Sequence, residues 1–157
     1  MASVEKSIQV AVPVRTAYNQ WTQFEEFPHF MEGVQEVKQS DDTHLAWKAK
    51  IGPKDEGWTT VVTDQIPDQV VAWQSTSGAD NAGRVTFQAD SANTTTVTVR
   101  IDYSPGGIIE RLGSGLGFMD RRVQGDLERF KEYIEKRGTE TGAWRGEVQG
   151  SQVESLG

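Results

Sequence analysis

Residues Ile108–Arg137, with the sequence IIERLGSGLGFMDRRVQGDLERFKEYIEKR, form one long segment with an amphipathic pattern. Its apolar residues recur every three or four positions, which predicts one continuous α-helix with a single apolar stripe. These residues are Ile108, Ile109, Leu112, Leu116, Met119, Val123, Leu127, Phe130 and Ile134. The helical pattern also contains Gly113, Gly115, Gly117 and Gly125, and each glycine costs about 1 kcal/mol relative to alanine inside a helix. We expect these glycines to leave room for a cavity beneath the first half of the helix.

The chain before this helix has the pattern of an antiparallel sheet. Residues 7–12 alternate as a half-buried strand, and two short helices follow over residues 15–24 and 25–31. From residue 34 onward the apolar period is two, and the strand candidates are Val34–Gln39, Leu45–Ile51, Trp58–Ile66, Val70–Thr76, Arg84–Ala89 and Thr95–Tyr103. The turns between these segments are short, which favours neighbouring antiparallel strands.

The predicted strands each have one apolar and one polar face. In one of them Leu45, Trp47 and Ala49 share a face while Lys48 and Lys50 lie on the other. The apolar face needs a cover, and the long helix is the only large element available for it. The sequence therefore predicts an α+β fold in which a curved antiparallel sheet of six to seven strands surrounds a long C-terminal helix, with two short helices after the first strand.

Composition restricts the partners and the location of the protein. The chain has 157 residues, enough for one domain, and it has no cysteine, which excludes thiolate metal sites and cysteine nucleophiles. A formal net charge of −7 opposes binding to nucleic acid. No apolar run has the length of a signal-peptide core or of a membrane span, so we expect no stable membrane insertion and a cytoplasmic location.

Several motifs make the chain similar to a known superfamily over residues 3–137. They are Val12-Pro13-Val14 with Ala17 and Trp21, Phe24–Met31, Ile66–Trp73, Gly83–Phe87 and Gly125–Glu135. In order, spacing and aromatic placement they resemble the START-like, helix-grip (SRPBCC) superfamily, specifically its polyketide cyclase/dehydrase branch. The resemblance implies one domain over residues 1–137, followed by a polar tail, 138–157, that we expect to be partly disordered.

The resemblance also implies a cavity between sheet and helix, in which members bind lipids, quinones, polyketides or hormones. We therefore expect the chain to bind a hydrophobic small molecule as a carrier or sensor, without a cofactor and without a metal. The expected lining consists of residues on the inward face of the strands and on the helices: Phe27, Phe30, Met31, Trp47, Trp58, Thr60, Trp73, Phe87, Tyr103, Leu112, Leu116 and Met119.

Two alternatives remain open at this point. One is a polyketide cyclase, aromatase or dehydratase that uses the same cavity, for which Asp64 and Tyr103 are the catalytic candidates because both have inward strand parity. The other is an interaction protein that binds no ligand. His29 and His44 have no partner at metal-ligand spacing, and Ser114 lies in a helix rather than in the strand–turn–helix context of a nucleophile elbow.

The C-terminal tail contains one segment with the composition of an interface. Trp144 and Arg145 are residue types that anchor interfaces. We expect Trp144 to dock on the body of the domain or on a second copy of the chain, which makes a homodimer through this segment possible.

Overall fold

The computed structural model describes residues 2–51, 54–78, 81–103 and 118–154. Its secondary structure follows the predicted order, with strands preceding one long helix. The elements are β1 (Ala2–Val10), α1 (Val14–Trp21), a 3-10 helix (Phe24–His29), β2 (Val34–Gln39), β3 (His44–Ile51), β4 (Lys54–Ile66), β5 (Val70–Ser77), β6 (Asn81–Ser91), β7 (Thr94–Tyr103), α2 (Phe118–Arg137), β8 (Glu147–Gln149) and β9 (Gln152–Glu154).

All the strands belong to one antiparallel sheet. The order is β1-β7-β6-β5-β4-β3-β2, so every neighbour after the β1–β7 pair is also a neighbour in sequence. Helix α2 packs its buried residues Val123, Leu127, Phe130 and Ile134 against the inner face of this sheet. A hydrogen bond also joins the helix to β1, since Lys131 Nζ donates to the carbonyl oxygen of Gln9 over 3.0 Å. The predicted helix-grip fold is confirmed.

An aromatic cluster fills the space between α1, the 3-10 helix and α2. The Trp21 ring lies 5.3 Å from Phe27, 5.4 Å from Phe30 and 5.2 Å from Phe130, centroid to centroid. The tilted and edge-on arrangements are those that aromatic quadrupoles favour. This cluster fixes the two N-terminal helices against α2 and forms one end of the core.

The described helix α2 contains only one of the four glycines of the predicted helix. Helix α2 covers residues 118–137, whereas the predicted residues 108–117, with Gly113, Gly115 and Gly117, lie outside the described part of the chain. Gly125 lies in α2, but a Cβ there would be 3.0 Å from the guanidinium of Arg129. Gly125 therefore leaves room for the Arg129 side chain of its own helix, whereas it was expected to leave room for the cavity.

The segment after α2 contributes two strands that were not predicted from the sequence. Strand β8 pairs with β4 beyond the end of β3, and β9 pairs with β8. Before this hairpin, Trp144 packs on the core and its backbone N–H donates to Thr22 Oγ1 over 3.1 Å. Described residues of this segment therefore pack on the body of the domain.

Arg145 is the central polar contact of this segment. Its guanidinium donates to Asn19 Oδ1 over 2.7 Å, pairs with Asp68 Oδ2 at 2.9 Å and lies 5.5 Å from the centre of the Tyr18 ring. Burial raises the pKa of the Tyr18 hydroxyl to about 12, although the nearby charge of Arg145 lowers it. Arg145 thus ties the C-terminal segment to both α1 and the β4–β5 turn.

We predict that Arg145→Ala lowers the free energy of unfolding by about 2 kcal/mol, because it removes two charge-assisted hydrogen bonds. For a chain of this length that corresponds to a fall of roughly 4–8 °C in melting temperature, measurable by calorimetry. Arg100→Ala is the matched control, since Arg100 pairs with Asp102 at 3.2 Å on the exposed face of the sheet. The control should change stability by less than about 0.5 kcal/mol. Equal losses in the two variants would contradict this role of Arg145.

Candidate functional site

A cavity of about 120 Å³ lies between the inner face of the sheet and α2, and it is partly open to solvent. Residues from α1, from the segment before β2, from strands β2 to β7 and from α2 line it. They are Trp21, Met31, Val34, Trp47, Ala49, Trp58, Trp73, Asn81, Val99, Ile101, Met119, Arg122, Val123, Asp126 and Leu127. All but three of these side chains are apolar, so the cavity has the character of a small-molecule site.

Three tryptophans on adjacent strands form one wall of the cavity. The rings of Trp47 and Trp58 are stacked, with centroids 5.6 Å apart and planes 9° from parallel, and Trp73 lies 6.0 Å from Trp47. Trp47 Nε1 donates to Thr60 Oγ1 over 2.8 Å, which fixes its ring. On β6, Gly83 leaves the space for Trp73, because a Cβ there would overlap the indole ring. The wall is therefore built by side chains with fixed positions.

The structure brings some of the predicted binding residues together at this cavity. Met31, Trp47, Trp58, Trp73 and Met119 line it. Phe27, Phe30 and Phe87 are buried in the core instead, Thr60 lies behind Trp47, and Tyr103 packs beside Ala49 without being part of the lining. Leu112 and Leu116 lie outside the described residues.

Ten lining residues were not predicted from the sequence: Trp21, Val34, Ala49, Asn81, Val99, Ile101, Arg122, Val123, Asp126 and Leu127. Ala49 shares the strand parity of Trp47, and Val99 and Ile101 share that of Tyr103, so strand alternation alone could have identified them. On α2, helical spacing from Met119 leads to the next two turns of the lining, which contribute Arg122, Val123, Asp126 and Leu127.

Asp64 is not on the inner face of the sheet, contrary to its predicted parity. The register of β4 against β5 shifts between Val62, which faces Trp73, and Asp64, which faces Ala72. This β-bulge adds one residue and reverses the alternation, so that Gln65 becomes buried. The Asp64 side chain is 34% exposed and lies 3.5 Å from Arg84. Asp64 therefore has no contact with the cavity.

The carboxyl group in the cavity wall is that of Asp126. Its Oδ1 accepts the backbone N–H of Glu32 over 3.0 Å and an N–H of Arg129 over 2.6 Å. Burial raises the pKa of Asp126 to about 6, even though these hydrogen bonds and the charges of Arg129 and Arg122 lower it. Asp126 therefore changes its charge close to neutral pH.

The same contacts fix α2 to the segment before β2. Arg129 donates from Nε to the carbonyl of Phe30 over 3.0 Å and pairs with Glu32 at 3.3 Å. Gly33 has a φ of +83°, and a Cβ on it would lie 3.0 Å from the guanidinium of Arg122 and 2.8 Å from the carbonyl oxygen of Lys50. Glycine at this position thus allows Arg122 to lie against the backbone at the rim of the cavity.

The described part of the chain contains no group of three histidine, aspartate or glutamate side chains placed to hold a metal ion. His29 Nε2 pairs with Glu26 at 2.8 Å, and His44 Nδ1 pairs with Asp41 at 2.9 Å. Over the same residues, no helix is long and apolar enough to cross a membrane.

Comparisons with known proteins agree with this geometry. The family model for polyketide cyclase/dehydrase and lipid transport matches residues 10–132. An uncharacterized 17.2 kDa protein from the melC2–rnhH intergenic region of Streptomyces lincolnensis is 48% identical over 149 residues, which is 94% of this chain and 99% of the relative.

Two solved structures resemble the fold at low sequence identity. The Zhui aromatase/cyclase of Streptomyces sp. R1128 has a TM-score of 0.71 at 13% identity, over 91% of this chain and 99% of that one. A START superfamily protein of Mycobacterium smegmatis has a TM-score of 0.66 at 15% identity, over 86% and 95%. With its helix-grip fold and the match of the family model to most of its length, the chain belongs to the polyketide cyclase/dehydrase and lipid transport family.

Proposed function

We propose that the protein binds a hydrophobic, aromatic small molecule in the cavity between the sheet and α2, as a carrier or sensor. The observation that carries this proposal is the wall formed by Trp47, Trp58 and Trp73 around an open volume. A core that served stability alone would be close-packed, because unfilled space between apolar side chains loses dispersion contacts.

The size of the cavity supports a compact ligand. An apolar protein cavity of about 150 Å³ is known to bind benzene. The cavity here has about 120 Å³ and is partly open, so one aromatic ring fits inside and a second ring can extend towards the opening. Flat rings stack favourably on indole, which adds to the free energy gained from apolar burial.

The comparisons support the same ligand class at a coarser level. The family description names both polyketide chemistry and lipid transport, and the similar structures include an aromatase/cyclase and a START protein. One fold can therefore carry different functions, and both descriptions are compatible with an apolar ligand.

We predict that Ala49→Leu blocks binding, because Ala49 is buried in the cavity wall and the larger side chain occupies the space of the ligand. Calorimetric titration with toluene and methylnaphthalene should show an affinity at least about tenfold lower than that of the unmodified protein. The matched control is Ala46→Leu, the same change on the exposed face of the same strand.

The control should retain the affinity of the unmodified protein. If both variants bind the hydrocarbons as the unmodified protein does, the ligand lies elsewhere. If the unmodified protein binds none of the hydrocarbons, the proposal of an aromatic ligand is wrong.

A second candidate function is a cyclase, aromatase or dehydratase reaction in the same cavity. Asp126 favours it, because a carboxyl group in an apolar cavity with a pKa of about 6 can take and return a proton near neutral pH. This residue replaces Asp64 as the acid–base candidate. Turnover that disappears in Asp126→Asn, with product binding retained, would distinguish this function from that of a carrier.

The protonation of Asp126 should be measurable through stability. Its pKa is about 6 in the folded protein and 3.8 in a model peptide, so the folded state binds more protons between these values. The free energy of unfolding therefore falls as pH rises through this range, by on the order of 3 kcal/mol in total. Asp126→Asn removes this titration, and we predict that it stabilises the protein relative to the unmodified chain at about pH 7.5 but hardly at about pH 4.

Urea denaturation at the two pH values measures this difference. Asp120→Asn is the matched control on the same helix, since Asp120 is exposed and pairs with Lys6 at 2.9 Å. The control should show the pH dependence of the unmodified protein. Parallel pH curves for Asp126→Asn and the unmodified protein would contradict the raised pKa.

A further inference from the structure

Trp73 and Gly83 are direct partners across strands β5 and β6, in the wall that the sheet contributes to the cavity. Residues paired in this way point to the same face of an antiparallel sheet. Trp73 lines the cavity, and so does Ile101, the partner of Gly83 on the neighbouring strand β7. Gly83 therefore lies between two lining residues, at a point where the sheet carries no side chain.

The indole of Trp73 occupies the space above Gly83. A Cβ on Gly83 would overlap Cζ2 of the indole and would lie 2.6 Å from Cε2 and 3.0 Å from Nε1. Strand side chains ordinarily stand roughly perpendicular to the sheet, whereas here the missing Cβ lets the ring lie across the neighbouring strand. Carbon atoms pack favourably only from about 3.5 Å, so any side chain at position 83 requires the ring to move by about 1 Å.

A displaced indole would move into the cavity. The ring has the backbone of β6 on one side, and it borders the open volume. Trp73 is only 4% exposed, while Trp58 of the same tryptophan wall is half-buried, so Trp73 lies at the deep end. The cavity has only about 120 Å³, and a shift of the ring by about 1 Å removes space that a ligand ring would occupy. The position of this indole therefore determines how far a ligand can enter.

We propose that the Trp73–Gly83 pair determines the size specificity of the site, by setting the depth of the cavity so that ligands of one or two fused aromatic rings are preferred over larger ring systems. This inference rests on the proposed function, since it concerns the size of the ligand in the same cavity. Glycine at position 83 lets the indole lie flat and leaves room for the first ring. The indole itself closes the space beyond that ring.

Toluene, naphthalene and phenanthrene test the proposal, because they have one, two and three rings and no polar group. Equilibrium dialysis measures each affinity, with the bound hydrocarbon quantified after extraction. In the unmodified protein we expect naphthalene to bind more tightly than toluene, and phenanthrene no more tightly than naphthalene. Burial of a third ring would raise the affinity further, but this ring stays outside the cavity.

Trp73→Phe should change this order. The smaller ring lacks the outer part of the indole, so the deep end opens and a further ring can be buried. Phenanthrene should then bind at least about fivefold more tightly than naphthalene. A variant that was merely destabilised would lose affinity for both hydrocarbons together, and the ratio of the two affinities would not change.

Gly83→Ala should close the deep end by displacing the indole. We expect the affinity for naphthalene to fall at least about tenfold. In the Trp73→Phe background the same substitution should cost less than about threefold, because Cζ2, the atom that the new Cβ would overlap, is then absent. Gly57→Ala is the matched control, since Gly57 lies on the exposed face of β4 and a Cβ there would be 3.6 Å from the carbonyl oxygen of Trp47, an ordinary contact. This control should retain all three affinities.

Three results would overturn the proposal and leave the proposed function in place. They are phenanthrene binding several times more tightly than naphthalene in the unmodified protein, an unchanged ratio in Trp73→Phe, and equal losses from Gly83→Ala in both backgrounds. The ratio in Trp73→Phe decides the matter even if Gly83→Ala does not fold. If the unmodified protein binds none of the three hydrocarbons, the proposed function fails as well.

Discussion

The packing of Trp21 against three phenylalanines is the contact on which the other features depend. Trp21 ends α1, Phe27 and Phe30 belong to the 3-10 helix and the residue after it, and Phe130 belongs to α2. One buried ring therefore connects α1 and the 3-10 helix to α2, which is far from both in sequence. Since Trp21 also lines the cavity, the core and the cavity share a wall. A rigid cluster at one end allows the other end to keep open space without collapse of the helix onto the sheet.

The sequence predicted the fold well because its main determinants are periodic. Alternation identified strands β1 to β7, and helical spacing identified the stripe of Val123, Leu127, Phe130 and Ile134. The hairpin formed by β8 and β9 was not predicted, because strands of three residues are too short to show a period. The pairing of β8 with β4 depends on a place in the sheet that β3 leaves free.

The cavity lining was only partly predictable. It depends on the alternation of side chains along the strands, and a β-bulge in β4 interrupts that alternation. Trp47 and Trp58 could be assigned from strand alternation, whereas Asp64 could not, since a bulge is not visible in the hydrophobic pattern. Asp126 was not predicted as a cavity residue. Its burial depends on the segment of Glu32 and on Arg129, and these contacts are known only from the three-dimensional arrangement.

The bulge in β4 has a consequence for how a site of this kind changes during evolution. One additional residue between Val62 and Asp64 determines which side chains at that end of the strand enter the interior. If β4 lost the bulge but kept all its residues, regular alternation from Val62 would bring Asp64 to the inner face in place of Gln65, with no substitution at either position. A carboxyl group would then enter the interior from the sheet, opposite the one supplied by α2. A change in the register of this strand, as much as a point substitution, can therefore place an acid in the interior of such a domain.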